Sequence, residues 1–289
     1  MRQGTATIHT TDGLTLWRQW QLPAGEPRAI VLLLHGLGEH SGRYTHVFRA
    51  LVDAGYGVHA IDHRGHGRSE GRRAYVRRYG DFMADLVAFR AAVAAEHPAT
   101  PLVVLGHSMG GNLAVGHVLD HQAGLAGLAL SAPALAPGGS LKPALIKAAK
   151  LLGRIAPWLR PDKLDVEAIS RDPAVVARYR NDRLVFTGKI SAGVAGALLS
   201  AMERFPARYP ELRLPILLLH GTADALADVT GSHRLEAGAV NATVTAHYYD
   251  GFFHEVFNEP DHAQVLGDLI AWLDGVTGPE DGVPAATSG

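Results

Sequence analysis

Three short stretches carry residue types that together could cleave an acyl bond. The first is Gly106-His107-Ser108-Met109-Gly110. The second is Asp224, directly after Gly221-Thr222-Ala223, and the third is His254, after Asp250-Gly251-Phe252-Phe253. A serine hydroxyl is a weak nucleophile at neutral pH. It needs an imidazole within hydrogen-bond reach to take its proton, and that imidazole needs a carboxylate behind it to fix the tautomer and stabilise the cation. A serine flanked by glycines is by itself a short pattern that arises by chance, and a strand-ending turn with an idle serine would look the same. Its surroundings argue for the functional reading. The apolar run Pro101 to Leu105 precedes it and a helical pattern, Met109 to His121, follows it. That context predicts a strained strand-to-helix turn that presents the hydroxyl beside the free N–H groups of a helix N-terminus.

The elements that must position these residues are legible as apolar runs. Ala29–Leu34, Gly57–Ile61, Pro101–Gly106, Leu125–Leu130 and Pro215–His220 are short and mostly apolar without alternation, which suits strands buried on both faces, and Thr243–Tyr248 reads as the last strand. Helical patterns separate them: Tyr44–Ala54, Tyr79–His97, Met109–His121, Thr230–Gly238 and Asp261–Leu273. Thr5–His9 and Leu14–Trp20, around Thr11-Asp12-Gly13, predict an antiparallel edge hairpin. Strand and helix alternating over short connections build a parallel sheet with helices on both faces. In such sheets functional groups sit on loops at the carboxyl ends of strands, where Ser108, Asp224 and His254 all fall. Asp228 is a rival acid, and His247 and His262 are rival bases. Asp224 is favoured by its place at the strand end, and His254 by its loop.

An oxyanion hole needs two backbone N–H groups aimed at the developing charge. The residue after the nucleophile, Met109, supplies one, and the loop His35-Gly36-Leu37-Gly38 makes Leu37 the candidate for the other.

From Pro133 to about Arg213 the rhythm breaks and helical segments dominate, predicting a helical insertion that covers the site. Pro143–Pro157 is one such segment, with Leu145, Ala149, Leu152 and Ile155 facing one way and Lys147, Lys150 and Arg154 forming a basic stripe. Three cations suit a solvated helix face. The alternative is a face that meets an anionic lipid surface. Ile190–Phe205 is another helical segment. The predicted organisation is a core from 1–132 and 214–276, a helical cap from 133–213, and a disordered tail from 277–289.

Composition narrows the remaining classes. The chain has 289 residues, enough to bury roughly three quarters of its unfolded surface. A net charge of −1 gives no electrostatic case for nucleic acid. The absence of cysteine excludes disulfides and thiolate metal sites and fits a reducing compartment. No secretory leader pattern or apolar run of membrane-spanning length is visible, so a cytoplasmic location is expected. No metal or cofactor is expected. The turn holding His63 and His66 lacks a third ligand at metal spacing, and His254-Glu255-Val256-Phe257-Asn258 departs from the zinc-helix pattern at its fifth residue.

Three stretches resemble the monoacylglycerol lipases of the α/β-hydrolase superfamily. They are His35-Gly36-x-Gly38-Glu39-His40-Ser41-Gly42-Arg43-Tyr44, Asp62-x-Arg64-Gly65-His66-Gly67-x-Ser69-x-Gly71 and Gly106-His107-Ser108-Met109-Gly110-Gly111, and the similarity extends from about Thr5 to Leu273. The resemblance implies an α/β-hydrolase fold with a mostly parallel eight-stranded sheet and a helical cap. It implies cleavage of monoacylglycerols to glycerol and fatty acid, with Ser108, Asp224 and His254 as triad and Leu37 and Met109 as oxyanion donors. Lysophospholipase, broad carboxylesterase and, more distantly, serine aminopeptidase activity are the alternatives. The last would call on Asp162, Asp165 and Glu167 to hold a free amine. By position Glu39 and Arg43 either form the polar end of the substrate pocket or brace the oxyanion loop.

Overall fold

In the computed structural model, which describes residues 1–139, 143–161 and 165–278, the sheet has eight strands. They are β1 (Arg2–His9), β2 (Thr15–Leu22), β3 (Ile30–Leu34), β4 (Gly57–Ile61), β5 (Leu102–His107), β6 (Leu125–Ser131), β7 (Ile216–Gly221) and β8 (Val244–Tyr249), in spatial order β1-β2-β4-β3-β5-β6-β7-β8. β1 and β2 form the predicted hairpin, and β2 also runs antiparallel to β4; every other pairing is parallel.

The helices are α1 (Thr45–Asp53), α2 (Tyr79–Glu96), α3 (Met109–His121), α4 (Pro143–Ile155), α5 (Pro173–Asn181), α6 (Ala192–Arg204), α7 (Thr230–Gly238) and α8 (His262–Thr277). Successive strand residues point to opposite faces. Leu32, Leu34 and Val104 therefore pack in one core with Phe82, Phe89 and Leu113 of α2 and α3. Val31, Leu33 and Val103 pack in a second core with Phe48, Leu51, Leu269 and Trp272 of α1 and α8. Both faces of each central strand are covered, which explains apolar runs without alternation.

Between β6 and β7 lie α4, α5 and α6. α4 packs chiefly on α6, and α6 also meets α2 and α3. Backbone bonds tie this segment to the strand-end loops: Phe186 N–H donates to Gly38 O at 2.7 Å and Glu255 N–H to Ile169 O at 2.7 Å. Leu145 and Ile155 of α4, expected to share a face with Ala149 and Leu152, are 57% and 65% exposed. Amphipathic spacing identifies one face of a helix, but not what that face will meet. One expectation needs correction: Thr277, expected to begin a disordered tail, closes α8, its hydroxyl donating to Leu273 O at 2.7 Å. The rest of that expectation, residues 279–289, lies outside the described residues, as does Asp162.

Candidate active site

Ser108 sits between β5 and α3 with φ at +52°, in the left-handed region that non-glycine residues rarely occupy. The surroundings enforce that conformation. Its N–H donates to Ser131 O at 3.0 Å, and its carbonyl accepts from Asn112 N and Ala134 N, each at 3.0 Å. A Cβ on Gly106 would lie 2.5 Å from Gly110 O, and one on Gly110 2.1 Å from Leu34 O, so neither position admits a side chain.

The hydroxyl leads a buried hydrogen-bond chain. Ser108 Oγ donates to His254 Nε2 at 2.8 Å, and His254 Nδ1 donates to Asp224 Oδ2 at 2.7 Å. Asp224 Oδ1 accepts from the backbone N–H of Leu226 and Ala227 at 2.8 and 3.0 Å. Burial opposes ionisation of Asp224, but the charge of His254 and hydrogen bonds from His220 and His254 outweigh it and hold the carboxyl well below its ordinary value. Burial likewise opposes a charged His254. The Asp224 carboxylate and its hydrogen bond win, raising the imidazole above its ordinary value of 6.5. An imidazole raised in this way is a stronger base, suited to take a proton from the hydroxyl beside it.

The rival residues lie elsewhere. Asp228 Oδ1 accepts from Thr230 N at 2.9 Å, His262 Nδ1 lies 2.8 Å from Glu259 O, and His247 lies 3.7 Å from Asp268.

Leu37 and Met109 line the same pocket as Ser108 and His254. Among the described residues neither of their backbone N–H groups donates a hydrogen bond within the protein. Glu39 also lines the pocket, but its carboxylate is committed. Oε1 accepts from Gly36 N–H at 2.6 Å and from Tyr44 Oη at 2.7 Å, and Oε2 accepts from Arg43 Nη1 at 2.6 Å. Arg43 lies behind Glu39, outside the lining, and forks onto Glu255 at 2.6 and 2.7 Å with its guanidinium 4.6 Å from the Tyr179 ring. Of the two readings left open by position, this geometry is a brace on the loop that carries Leu37.

Sequence reasoning missed His220 and Ser232. His220, the fifth residue of β7 and fully buried, places Nε2 3.1 Å from Asp224 Oδ2 and 3.0 Å from Ala227 O. Two acceptors at Nε2 require a proton there, so Nδ1 accepts from Ser232 Oγ at 2.7 Å. Asp224 thus receives an N–H from two imidazoles. A histidine four residues ahead of the acid, at the end of an apolar run, was the available signal. Tyr179 was also missed, because α5 has only two apolar β-branched residues to announce it.

The pocket encloses about 130 Å³, roughly the liquid volume of four waters. Ile169, Leu198 and Met202, from the segment between β6 and β7, and Leu226, from the loop after β7, form its apolar side. A serine hydrogen-bonded in this way to a buried imidazole–carboxylate pair has the chemistry to attack a carbonyl.

The chain resembles known proteins over nearly its whole length. Residues 25–261 match the family model described as serine aminopeptidase, S33. A monoacylglycerol lipase of Mycolicibacterium smegmatis is 41% identical over 251 residues, covering 87% of this chain and 90% of that protein. The chain belongs to the monoacylglycerol lipase family. Human monoglyceride lipase is 34% identical, covering 91% of this chain and 88% of the human protein. The crystal structure of the Paleococcus ferrophilus monoacylglycerol lipase, 31% identical, superposes with a TM-score of 0.78, covering 95% of this chain and 99% of that one. Like those relatives, this family member is a serine hydrolase on an α/β-hydrolase sheet.

One group of side chains in this hydrolase has ligand atoms close enough to surround a metal ion, among the described residues. It comprises His59, Glu96 and His97, within 4.8 Å of one another. Arg18 already binds two of the three, donating to Glu96 at 3.0 Å and lying 3.1 Å from His59 Nδ1, while His59 Nε2 lies 3.1 Å from His97 Nε2. None of the three lines the pocket at Ser108.

Proposed function

We propose that this enzyme hydrolyses monoacylglycerols to glycerol and fatty acid through an acyl-enzyme on Ser108. The observation that carries the reading is the chain Ser108–His254–Asp224, with bonds of 2.8 and 2.7 Å, at a pocket that Leu37 and Met109 also line. Ser108 Oγ attacks the ester carbonyl as His254 Nε2 takes its proton. The oxyanion accepts from Leu37 and Met109 N–H, an interaction for which each donor supplies about 3 kcal/mol in the transition state. His254 then protonates the glycerol oxygen as it leaves, and a water repeats the steps on the acyl-enzyme. Asp224 keeps Nδ1–H in place and stabilises the imidazolium throughout.

The pocket chemistry favours an ester of a neutral polyol over a peptide with a free amine. Its two carboxylates, Glu39 and Glu255, are both paired with Arg43. In the segment between β6 and β7, Glu167 pairs with Arg180, and Asp165 accepts from Glu167 N–H. Neither lines the pocket at Ser108. The test is release of oleate from monooleoylglycerol beside release of amine from an aminoacyl amide. Faster turnover of the amide would reverse the assignment.

Residues 133–213 act in this reading as a cap. At 130 Å³ the pocket must open to admit a long acyl chain, and Leu198 and Met202 of α6 are the side chains that would move. The cap also supplies a lipid-facing surface. Leu145, Leu151, Ile155, Trp158 and Leu159 are 45–65% exposed in one short stretch. Such a patch suits peripheral contact with a lipid surface, where the substrate resides. Among the described residues no helix is long and apolar enough to cross a membrane. A cytoplasmic enzyme that docks on a bilayer is the form this reading takes.

A further inference from the structure

A second cavity, of about 700 Å³, opens on the opposite side of α6 from the catalytic pocket. The two share no lining residue: Leu198 and Met202 face Ser108, whereas Ala197, Ser200 and Arg204 face this cleft. Among the described residues five cations line it, Arg77 and Arg78 from the loop before α2, Lys150 and Arg154 from α4, and Arg204 from α6, and no carboxylate does. Two of the five have acidic partners nearby. Lys150 pairs with Glu203, and Arg78 lies 3.3 Å from Asp81. Arg77, Arg154 and Arg204 form no ion pair or side-chain hydrogen bond among the described residues. The whole chain carries a net charge of only −1, so this concentration of positive charge is local.

The cleft borders the exposed apolar stretch, since Ile155 and Trp158 belong to both. Guanidinium groups present planar pairs of donors that match phosphate oxygens, and they are less strongly hydrated than an ammonium. An indole beside them is the side chain that settles at the headgroup level of a bilayer. Cations and apolar residues on one rim describe a ligand that is anionic at one end and apolar at the other.

We propose that this cleft is a binding site for the phosphodiester headgroup of an anionic phospholipid in a bilayer. Arg77, Arg154 and Arg204 hold the phosphate while Ile155 and Trp158 enter the layer beneath it. The proposal rests on the reading of α4 as lipid-facing and adds to it a stated headgroup chemistry. It also gives the enzyme an orientation, because the wall shared by the cleft and the catalytic pocket is α6. A headgroup held on one side of that helix places the apolar side of the catalytic pocket next to the membrane.

The experiment is co-sedimentation of the full-length protein with vesicles of phosphatidylcholine alone and of phosphatidylcholine with one quarter phosphatidylglycerol. The expected result is markedly tighter binding to the anionic vesicles, abolished at 1 M salt. The Arg77→Ser, Arg154→Ser, Arg204→Ser triple variant should lose about a hundred-fold in affinity for anionic vesicles, roughly five-fold per cation, and bind neutral vesicles as the parent does. Ile155→Ser with Trp158→Ser should weaken binding to both. Hydrolysis of soluble monobutyrylglycerol by the triple variant serves as the folding control, since none of the three arginines lines the catalytic pocket. Equal binding of the parent to both vesicle types would overturn the headgroup site while leaving the lipid-facing reading intact. Failure to bind any vesicle would remove both. Inorganic phosphate at millimolar concentration that raises the parent's melting temperature, with no preference for anionic vesicles, would show that the cleft takes a free phosphate, and the lipid assignment would fall.

Discussion

The two sides of α6 show opposite treatments of charge. Toward Ser108, charged groups are buried and compensated: Asp224 by two imidazoles and two backbone amides, Arg43 by Glu39 and Glu255. Toward the second cleft, Arg77, Arg154 and Arg204 form no ion pair among the described residues and lie next to apolar side chains left in water. Preorganised catalysis needs dipoles and charges that are held in place before the substrate arrives. A surface that awaits a partner leaves the complementary groups to that partner. Substitutions on the first side should therefore act on the chemistry, and those on the second on docking alone.

The largest effect is expected at the nucleophile. Ser108→Ala should lower kcat on monooleoylglycerol by about 10⁴-fold or more, and adding His254→Ala should cost little further, because the residues act as a unit. Titrated fatty-acid release measures both. Losses that multiply in the double variant would show that Ser108 and His254 work independently.

Next comes the acid. Asp224→Asn should cost about 10⁴-fold in kcat by freeing the wrong imidazole tautomer. The pH dependence sharpens this. His254 must be neutral to accept the serine proton, and Asp224 raises its pKa. Activity should therefore fall as pH drops through a value above 6.5, and in the Asp224→Asn protein the residual activity should fall at lower pH instead. An acid limb that Asp224→Asn leaves unmoved would mean another group controls it.

His220 should matter less, but more than a buried histidine with a purely structural role. A hydrogen bond to a charged group is worth about 1.5–3 kcal/mol, so His220→Ala should lower kcat by roughly ten- to a hundred-fold with KM little changed. His220→Gln, whose amide can donate toward Asp224 Oδ2 from a similar distance, should recover much of that loss. Equal losses for Ala and Gln would assign the residue to packing.

The sheet was legible in the sequence because burial on both faces forces unbroken apolar runs, and no competing pattern gives five or six such residues between turn signals. The candidate site was legible for a related reason: Ser108, Asp224 and His254 each follow a strand end, where a parallel sheet gathers its loops. What could not be read is what depends on partners across space. His220 sits inside an apolar run and looks like any strand residue until Asp224 turns back to meet it. Arg43 reads as a pocket residue from its neighbours in sequence, whereas Glu255, 212 residues away, draws it behind the loop. The α4 stripe shows amphipathic spacing whether its apolar side meets protein or solvent. Arg77 and Arg78 carry no periodic signal, and their charge gains meaning only where α4 and α6 bring Arg154 and Arg204 beside them.

The smallest expected effect is the most discriminating for the exposed stretch. A core side chain such as Leu218, fully buried in β7, should lose about 2–5 kcal/mol of stability when replaced by alanine. Ile155 and Trp158 are 65% and 53% exposed, so polar replacements remove little packing, and surface changes of this kind lie within about 0.5 kcal/mol. For a chain of this size that corresponds to a shift in melting temperature of about 2 °C at most. Differential scanning calorimetry of Ile155→Ser with Trp158→Ser, without lipid, measures it. A near-zero shift would mean that these side chains contribute almost nothing to the folded monomer, so that their exposure is sustained by what they meet outside it. A loss of several degrees would show that α4 already buries them in solution, and the contrast between the two sides of α6 would then reduce to one of charge.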